Sequence, residues 1–558
     1  MRKSEGVFLI GIMVFIVLYG LGTLLLNKGI ANKYEEYIDT GEYKISVLVM
    51  EPYGEREGTV VLIHGILASK NMMKSFATDL VRYGWRVILI DQPGHGKTGG
   101  AYKLKYDDLQ EPEKALEKLI NQSYEFRSAV ASYLRNKVDD EYVVFGGHSL
   151  GGLFALLMSR DYDRDFNILA TIAIAPPYVE GIVNSTIPRN ILLCIGKYDE
   201  FIFVDDLKRY INPKSPSSVE VGNIIGDFSN GTARRIYVSP NSDHIFEPYD
   251  PAIIEESIKW LGLCLGKGLI HVVVLSTTMA SLKALAALAG LVVVSMSPLI
   301  FADRLGMISG GKRFPTIKLI KSTIIAAFVV WPLVTSLSLF LFLSVITGIA
   351  GKVGYIIPIL VGGYLFVATI ALIAASMFLS GKDVDVMIRK VYLYIRSDLR
   401  RCIILGSLEA AIFLFILDVT LGDIFMPMTP RSVGRILISI PLGLMIFGYF
   451  IFHEYLFRAQ IQEIFGGKKR RAALISIMIS LLSKMVVIVI ISALIYFISP
   501  FQVVALAGMF GMILVAVLTE GLAATSYYAT REILPHALAS AVLWASIATA
   551  AFPVVMIT

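Results

Sequence analysis

"YVVFGGHSLGGLFALLM", residues 142–158, sets a serine between a β-rich apolar run and an apolar run with helical character. Within it, Gly147-His148-Ser149-Leu150-Gly151 reads G-x-S-x-G, a common pattern that gains meaning only between a strand and a helix. The chain must turn there so sharply that side chains two before and two after the serine would collide, which calls for glycine at both places. A helix opening after Ser149 also aims its free N–H groups at charge developing on a substrate oxygen. Ser149 is thus either a nucleophile on an elbow or part of a structural turn, and the flanking runs favour the nucleophile.

Outward from this stretch, β-rich runs recur at 43–50, 59–65, 86–91, 169–175, 190–196 and 234–239. Helical patterns lie between most of them, at 70–84, 113–136, 150–161 and 251–262. Continuous apolar strands alternating with helices predict an α/β domain with a mostly parallel sheet covered on both faces. Such sheets gather ligands at the carboxyl ends of their strands. His64-Gly65, Asp91, Ser149, Asp199 and His244 each follow one of these strand cores.

A serine hydroxyl needs a base, and the base needs an orienting acid. The expected order in this architecture is Ser, acid, His. His244, in "NSDHIFEP", is the candidate base, and Asp199, in "GKYDEF", is the candidate acid. Glu200, Asp205, Asp206 and Asp243 compete with it; Asp199 is preferred because it lies on the turn three residues after Gly196. The oxyanion donors expected by position are the backbone N–H groups of Leu150 and Ile66. "GHGKT", 94–98, ends like a phosphate-binding loop, but Asp91 stands where that loop requires glycine, so nucleotide binding is not expected. No cofactor or metal site is expected.

The stretches "LIHG", "DQPGHGKT", "GHSLGG", "GKYDEF" and "SDHIFEP", in that order over about residues 36–262, resemble α/β-hydrolases. The nearest branch is that of serine aminopeptidases, monoacylglycerol lipases and small esterases. The resemblance implies Ser149 as nucleophile, His244 as base and Asp199 as acid. It departs at the cap: only "PPYVEGIVNSTIPRN", 176–190, stands where lidded members insert a helical domain, so a minimal cap is expected.

The 558-residue chain is 55% hydrophobic, with mean hydropathy +0.66, which calls for membrane-embedded mass. Asn is absent beyond residue 266, while long apolar runs recur there. The net charge of +6 sits largely in short segments between apolar runs, which reads as positive-inside loops and not as a nucleic-acid surface. Three cysteines, Cys194, Cys264 and Cys402, form no disulfide framework. Spans are expected at 7–26, 283–302, 323–348, 354–380, 403–421, 435–455, 473–498, 502–524 and 537–556. The first, behind Arg2 and Lys3, could instead be a signal peptide, but it is longer than a typical signal core, and an anchor is expected. The expected division is an anchor at 1–30, a hydrolase-like domain at 31–265 and a helical membrane domain of about eight spans at 266–558.

Basic segments 303–322, 381–402 and 457–472 alternate with loops poor in Lys and Arg, so they are expected in the cytoplasm. Residues 27–265 then lie outside it, in a multi-pass protein of the cell membrane, provided 266–302 crosses once. A hairpin there would reverse the side. Lys283 in its middle favours an interfacial helix leading into one span. Sequons at Asn121, Asn184 and Asn230 are compatible with an external domain.

Ionisable residues in spans are costly and therefore candidates for function. Glu409, Asp418, Glu454, Lys484 and Glu520 qualify, with ion pairing, such as Lys484 with Glu409 or Glu520, as the plain alternative. "HEYLFRAQ", 453–460, resembles the E-E-x-x-x-R signature of CAAX-type intramembrane proteases through Glu454 and Arg458, although His453 replaces the first glutamate and beyond residue 458 the only histidine is His536. Its plain reading is an interfacial Glu454–Arg458 pair at a cytoplasmic helix end. The leading expectation is a membrane-anchored serine hydrolase that cleaves an ester, thioester or amide. The short connection from Gly262 to Leu269, at most about 25 Å extended, keeps its site near the bilayer and favours a small acyl or lipid-like substrate. The alternatives are a polytopic transporter or scaffold with a ligand-binding hydrolase-like domain, or an intramembrane protease centred on Glu454.

Overall fold

The computed structural model describes residues 3–105, 108, 111–139, 141–307, 325–338, 356–380, 398–467, 469–498, 517 and 519–557. The chain forms two compact units. One holds residues 17–285 with 420–427 and 551–558; the other holds 1–16, 286–419 and 428–550.

The first unit is built on a sheet of β1 (Ile30–Asp39), β2 (Lys44–Pro52), β3 (Gly58–Ile63), β4 (Trp85–Ile90), β6 (Val143–His148), β7 (Ile168–Ile174), β8 (Ile191–Gly196) and β9 (Arg234–Ser239). A short β5 (Tyr102–Leu104) lies outside it. The order is β1-β2-β4-β3-β6-β7-β8-β9. β1 and β2 pair antiparallel, as do β2 and β4. From β4 to β9 every pairing is parallel. Side chains alternate between the faces, as the two-residue period of a strand requires. Val61, Ile63 and Phe145 pack into one core with Phe126, Leu153 and Phe154. Val60, Leu62 and Val144 pack into the other with Phe76, Leu80 and Trp260. The helices behind those cores are α2 (Lys74–Arg82), α3 (Pro112–Arg135), α4 (Leu150–Asp161), α5 (Val204–Ile211) and α6 (Pro251–Cys264). Burial on both faces is what makes the central strands continuous apolar runs.

All seven expected strands form, with ends displaced by a residue or two. β1, IANKYEEYID, was not expected. It is an edge strand exposed on most positions, and its charge hides the strand signal. The expected helix at 70–84 opens as a 3₁₀ turn, Lys70–Met73, before α2. Two remote segments complete this unit. Val555–Ile557 (β10) runs parallel to β5, and Gly422, Ile424 and Phe425 each offer a carbonyl to Asn71 Nδ2 (2.7 Å), Tyr249 Oη (2.6 Å) and Ser69 Oγ (3.3 Å).

Among the described residues, six helices are long and apolar enough to cross a membrane: Glu5–Leu26, Ser276–Arg304, Leu399–Ile424, Val433–Gln462, Arg470–Ile491 and Leu534–Ala551. The first belongs to α1 (Lys3–Leu26). The other elements are α7 (Ser276–Arg304), α8 (Ile356–Ser380), α9 (Leu399–Ile424), α10 (Val433–Glu454), α11 (Arg470–Ile498) and α12 (Leu534–Ala551), with a π-helical stretch at Tyr455–Gln462 continuing α10. Most of the expected span at 502–524, residues 323–324 and 339–348 of the span at 323–348, residues 354–355 of the span at 354–380, and most of the basic segments 303–322 and 381–402 lie outside the described residues. The expected interfacial helix before residue 302 is replaced. Residues 267–275 are irregular, and a single 29-residue helix, α7, follows. Lys283 does not break it, because its ammonium is ion-paired with Asp423.

Candidate active site

The elbow forms as the glycines demand. Ser149 sits between β6 and α4 with φ 54° and ψ −124°, a conformation that costs a non-glycine residue free energy and persists only where its surroundings enforce it. A Cβ on Gly147 would lie 2.4 Å from Gly151 O, and one on Gly151 would lie 2.1 Å from Ile63 O. No side chain fits at either place. The Ser149 N–H donates to Ile174 O at 2.8 Å, which ties the elbow to β7.

Ser149, His244 and Asp199 converge. His244 Nε2 stands 3.0 Å from Ser149 Oγ, and His244 Nδ1 stands 2.7 Å from Asp199 Oδ2. Asp199 is buried, and its Oδ1 accepts the N–H groups of Phe201 (2.7 Å) and Ile202 (2.9 Å). The competing acids are engaged elsewhere. Asp206 accepts from Phe203 N–H, Asp243 accepts from Ile245 N–H, and Glu200 reaches only the His244 backbone N–H, at 3.5 Å. Leu150 opens α4, where the first-turn N–H groups lack helical acceptors. Ile66 lies in the loop after β3 with its side chain exposed.

The remaining strand-end residues brace this rim. His64 Nε2 accepts the Gln92 N–H at 3.0 Å and its Nδ1 lies 2.7 Å from Gly65 O, so the ring is the neutral Nδ1–H tautomer. Burial holds its pKa below the ordinary histidine value. Asp91 accepts the Lys70 and Lys97 N–H groups and pairs with Lys70 Nζ at 2.8 Å. Burial alone would raise its pKa, but the neighbouring Lys70 and His64 hold it below the ordinary carboxylate value. "GHGKT" accordingly belongs to this brace.

Two residues here were not singled out from the sequence. Glu247, fully buried, has Oε2 3.2 Å from His148 Nε2 and 3.9 Å from His244 Nδ1. Its place three residues after the base was the one available signal, and the buried position of His148 before the nucleophile had none. Donor atoms of His148, His244 and Glu247 lie within 4.8 Å of one another, a set able to hold a transition metal. Such an ion would compete for His244, whose two ring nitrogens already face Asp199 and Ser149.

The second unit gathers most of its expected ionisable residues into one buried cluster. Glu520 pairs with Lys484 and with Arg458, and lies 3.3 Å from His453 Nε2. Glu454 Oε1 is 2.9 Å from His453 Nδ1, and its Oε2 is 3.6 Å from Arg458 Nε. The expected Glu454–Arg458 pair therefore forms, but buried within the protein. Arg458 is wholly buried in the π-helical stretch, where a desolvated guanidinium requires close acceptors, and it is no loop cation. Lys484 takes Glu520 and not Glu409; Glu409 instead accepts from Ser526 Oγ (2.7 Å) and faces His536 Nδ1 at 3.6 Å. Asp418 pairs with Arg431.

A family model for the alpha/beta hydrolase fold matches residues 58–211. No curated protein matches the chain. Solved structures similar to it include a predicted CIB-like hydrolase from Thermoplasma acidophilum, with 19% identity over 41% of this chain and 98% of that one, TM-score 0.30. Another is the thioesterase domain from the curacin biosynthetic pathway, with 13% identity over 42% and 99%, TM-score 0.28. A third is an alpha-beta serine hydrolase homologue from Coxiella burnetii, with 17% identity over 41% and 95%, TM-score 0.28. The sheet unit has the α/β-hydrolase fold, which supports a hydrolase, and it is joined in one chain to several long apolar helices.

Proposed function

We propose that the protein is a membrane-anchored serine hydrolase that cleaves an ester, thioester or amide through an acyl-Ser149 intermediate. The observation that carries this reading is the continuous line Asp199–His244–Ser149, with spacings of 2.7 and 3.0 Å. His244 Nε2 takes the Ser149 proton as Oγ attacks the acyl carbon. Asp199 stays ionised and steadies the imidazolium. The backbone N–H groups of Leu150 and Ile66 receive the oxyanion. Collapse expels the alcohol, thiol or amine with the proton from His244, and water then releases the acid by the same steps in reverse.

Loop charge supports a side for the hydrolase domain. α1, α7, α9 and α12 each have one end in or adjoining the sheet unit. Their other ends adjoin Arg2 and Lys3, Arg304 and the basic 303–322, the basic 381–402, and Arg531. Positive-inside loops then favour an extracytoplasmic hydrolase domain, and the short connection from Gly262 to Leu269 favours a membrane-associated acyl substrate.

A fluorophosphonate probe tests the class. It is expected to label the wild-type chain and to spare Ser149→Ala, while that variant keeps its fold. Lack of labelling at Ser149 in folded protein overturns the reading. Activity that survives Ser149→Ala would move attention to the buried Glu454–Arg458–Glu520 cluster.

A further inference from the structure

Glu247 opens a short 3₁₀ turn, Glu247–Tyr249, and none of its surface is exposed. Its Oε1 accepts the Gly196 N–H at 2.6 Å. Gly196 ends β8 and closes the turn that presents Asp199, whose own N–H donates to Gly196 O at 3.2 Å. The other oxygen, Oε2, faces His148 Nε2 at 3.2 Å and His244 Nδ1 at 3.9 Å, in neither case with hydrogen-bond alignment. His148 is bonded in sequence to Ser149, and its ring packs on that of His244 with centroids 4.7 Å apart. One buried carboxyl thus touches the acid's turn, the base itself and the residue that precedes the nucleophile.

We infer that Glu247 is a positioning residue for the triad, holding the Asp199 turn, the His244 loop and the elbow in register from behind. The inference rests on the hydrolase reading above. The three arms come from β6, β8 and the loop after β9, and no covalent link fixes their spacing. A misplacement of about 1 Å between reacting groups can cost on the order of 10²-fold in rate.

The charge state fits this role. Burial, and next the Asp199 carboxylate, raise the Glu247 pKa well above the ordinary carboxylate range, and the nearby Asp243 acts in the same sense. Burial, and next the adjoining His244, hold His148 well below the ordinary histidine range. The Cys194 thiol, on β8, is raised by burial and is neutral too. Both shifts favour the uncharged form, of the Glu247 carboxyl and of the His148 imidazole.

The experiment follows hydrolysis of an activated ester and the rate of fluorophosphonate labelling in the full-length chain, for wild type, E247A, E247Q and E247D, with S149A as the blank. Positioning predicts that E247A lowers kcat by about 10- to 100-fold with KM within about twofold. E247Q, which keeps the length and the carbonyl acceptor, restores kcat to within about threefold of wild type. E247D, one methylene short, remains impaired. Wild-type kcat in E247A overturns the proposal. So does E247Q that is no better than E247D, a comparison that decides even if E247A fails to fold. If the wild type shows no Ser149-dependent turnover or labelling, the hydrolase reading fails and this one with it; an active wild type matched by E247A sinks this one alone.

Discussion

At the residue scale, the assignment of the acid separates what spacing can say from what contact decides. Glu200, Asp205, Asp206 and Asp243 are near enough in sequence to compete with Asp199. Only Asp199 receives two backbone N–H groups on one oxygen while its other oxygen meets His244 Nδ1. Those bonds depend on the turn after β8 closing tightly, which composition does not reveal. Asp199→Asn tests the assignment sharply. The amide nitrogen can donate to Nδ1, leaving the proton on Nε2 and no acceptor for the Ser149 hydroxyl. The expected loss is about 10⁴-fold in kcat with unfolding temperature little changed. Equal loss in Asp243→Asn or Asp206→Asn with an unaffected Asp199→Asn would refute it.

At the element scale, the strand–elbow–helix was legible because each of its constraints is local. Gly147 and Gly151 are required by backbone atoms a few residues away or on the neighbouring β3, and the apolar runs on either side show their burial through composition. Gly151→Ala would push a Cβ to 2.1 Å from Ile63 O and 2.4 Å from His64 O, neither of which can yield without moving β3. A destabilisation on the order of 3 kcal/mol is expected, read as a lowered midpoint in denaturant, together with loss of Ser149 labelling. An unshifted midpoint would mean that the elbow is looser than its geometry. β1 escaped notice for the converse reason. An edge strand needs only one bonded neighbour, and its exposed side carries Lys33, Glu35 and Tyr37 in place of an apolar signature. In the helical unit, the pairing of Lys484 with Glu520 over Glu409 follows from helix rotation, which one-dimensional spacing leaves open.

At the scale of the whole molecule, the sheet unit includes residues 420–427 and 551–558, far along the chain from its body. This gives a sidedness prediction that is independent of how 266–302 crosses. With Cys264 replaced by Ser, and Cys194 and Cys402 buried, cysteines introduced at the exposed Tyr53 and Val433 are expected to react together with an impermeant maleimide outside sealed cells. A cysteine at the exposed Arg401 is expected to react only after permeabilisation. Labelling of Arg401→Cys from outside with Tyr53→Cys protected would reverse the orientation. The sequence by itself determined the fold class, the apolar segments and the strand–turn–helix that carries Ser149, because strand and helix periodicity, glycine at a forced turn and the length of a bilayer span are all local properties. Only the tertiary structure decided which carboxylate meets His244, that Glu247 lies buried behind it, that Arg458 is a core residue and that Val555–Ile557 pair with β5. Each of those depends on desolvation and distance between positions remote in sequence, which exist only once the chain has folded.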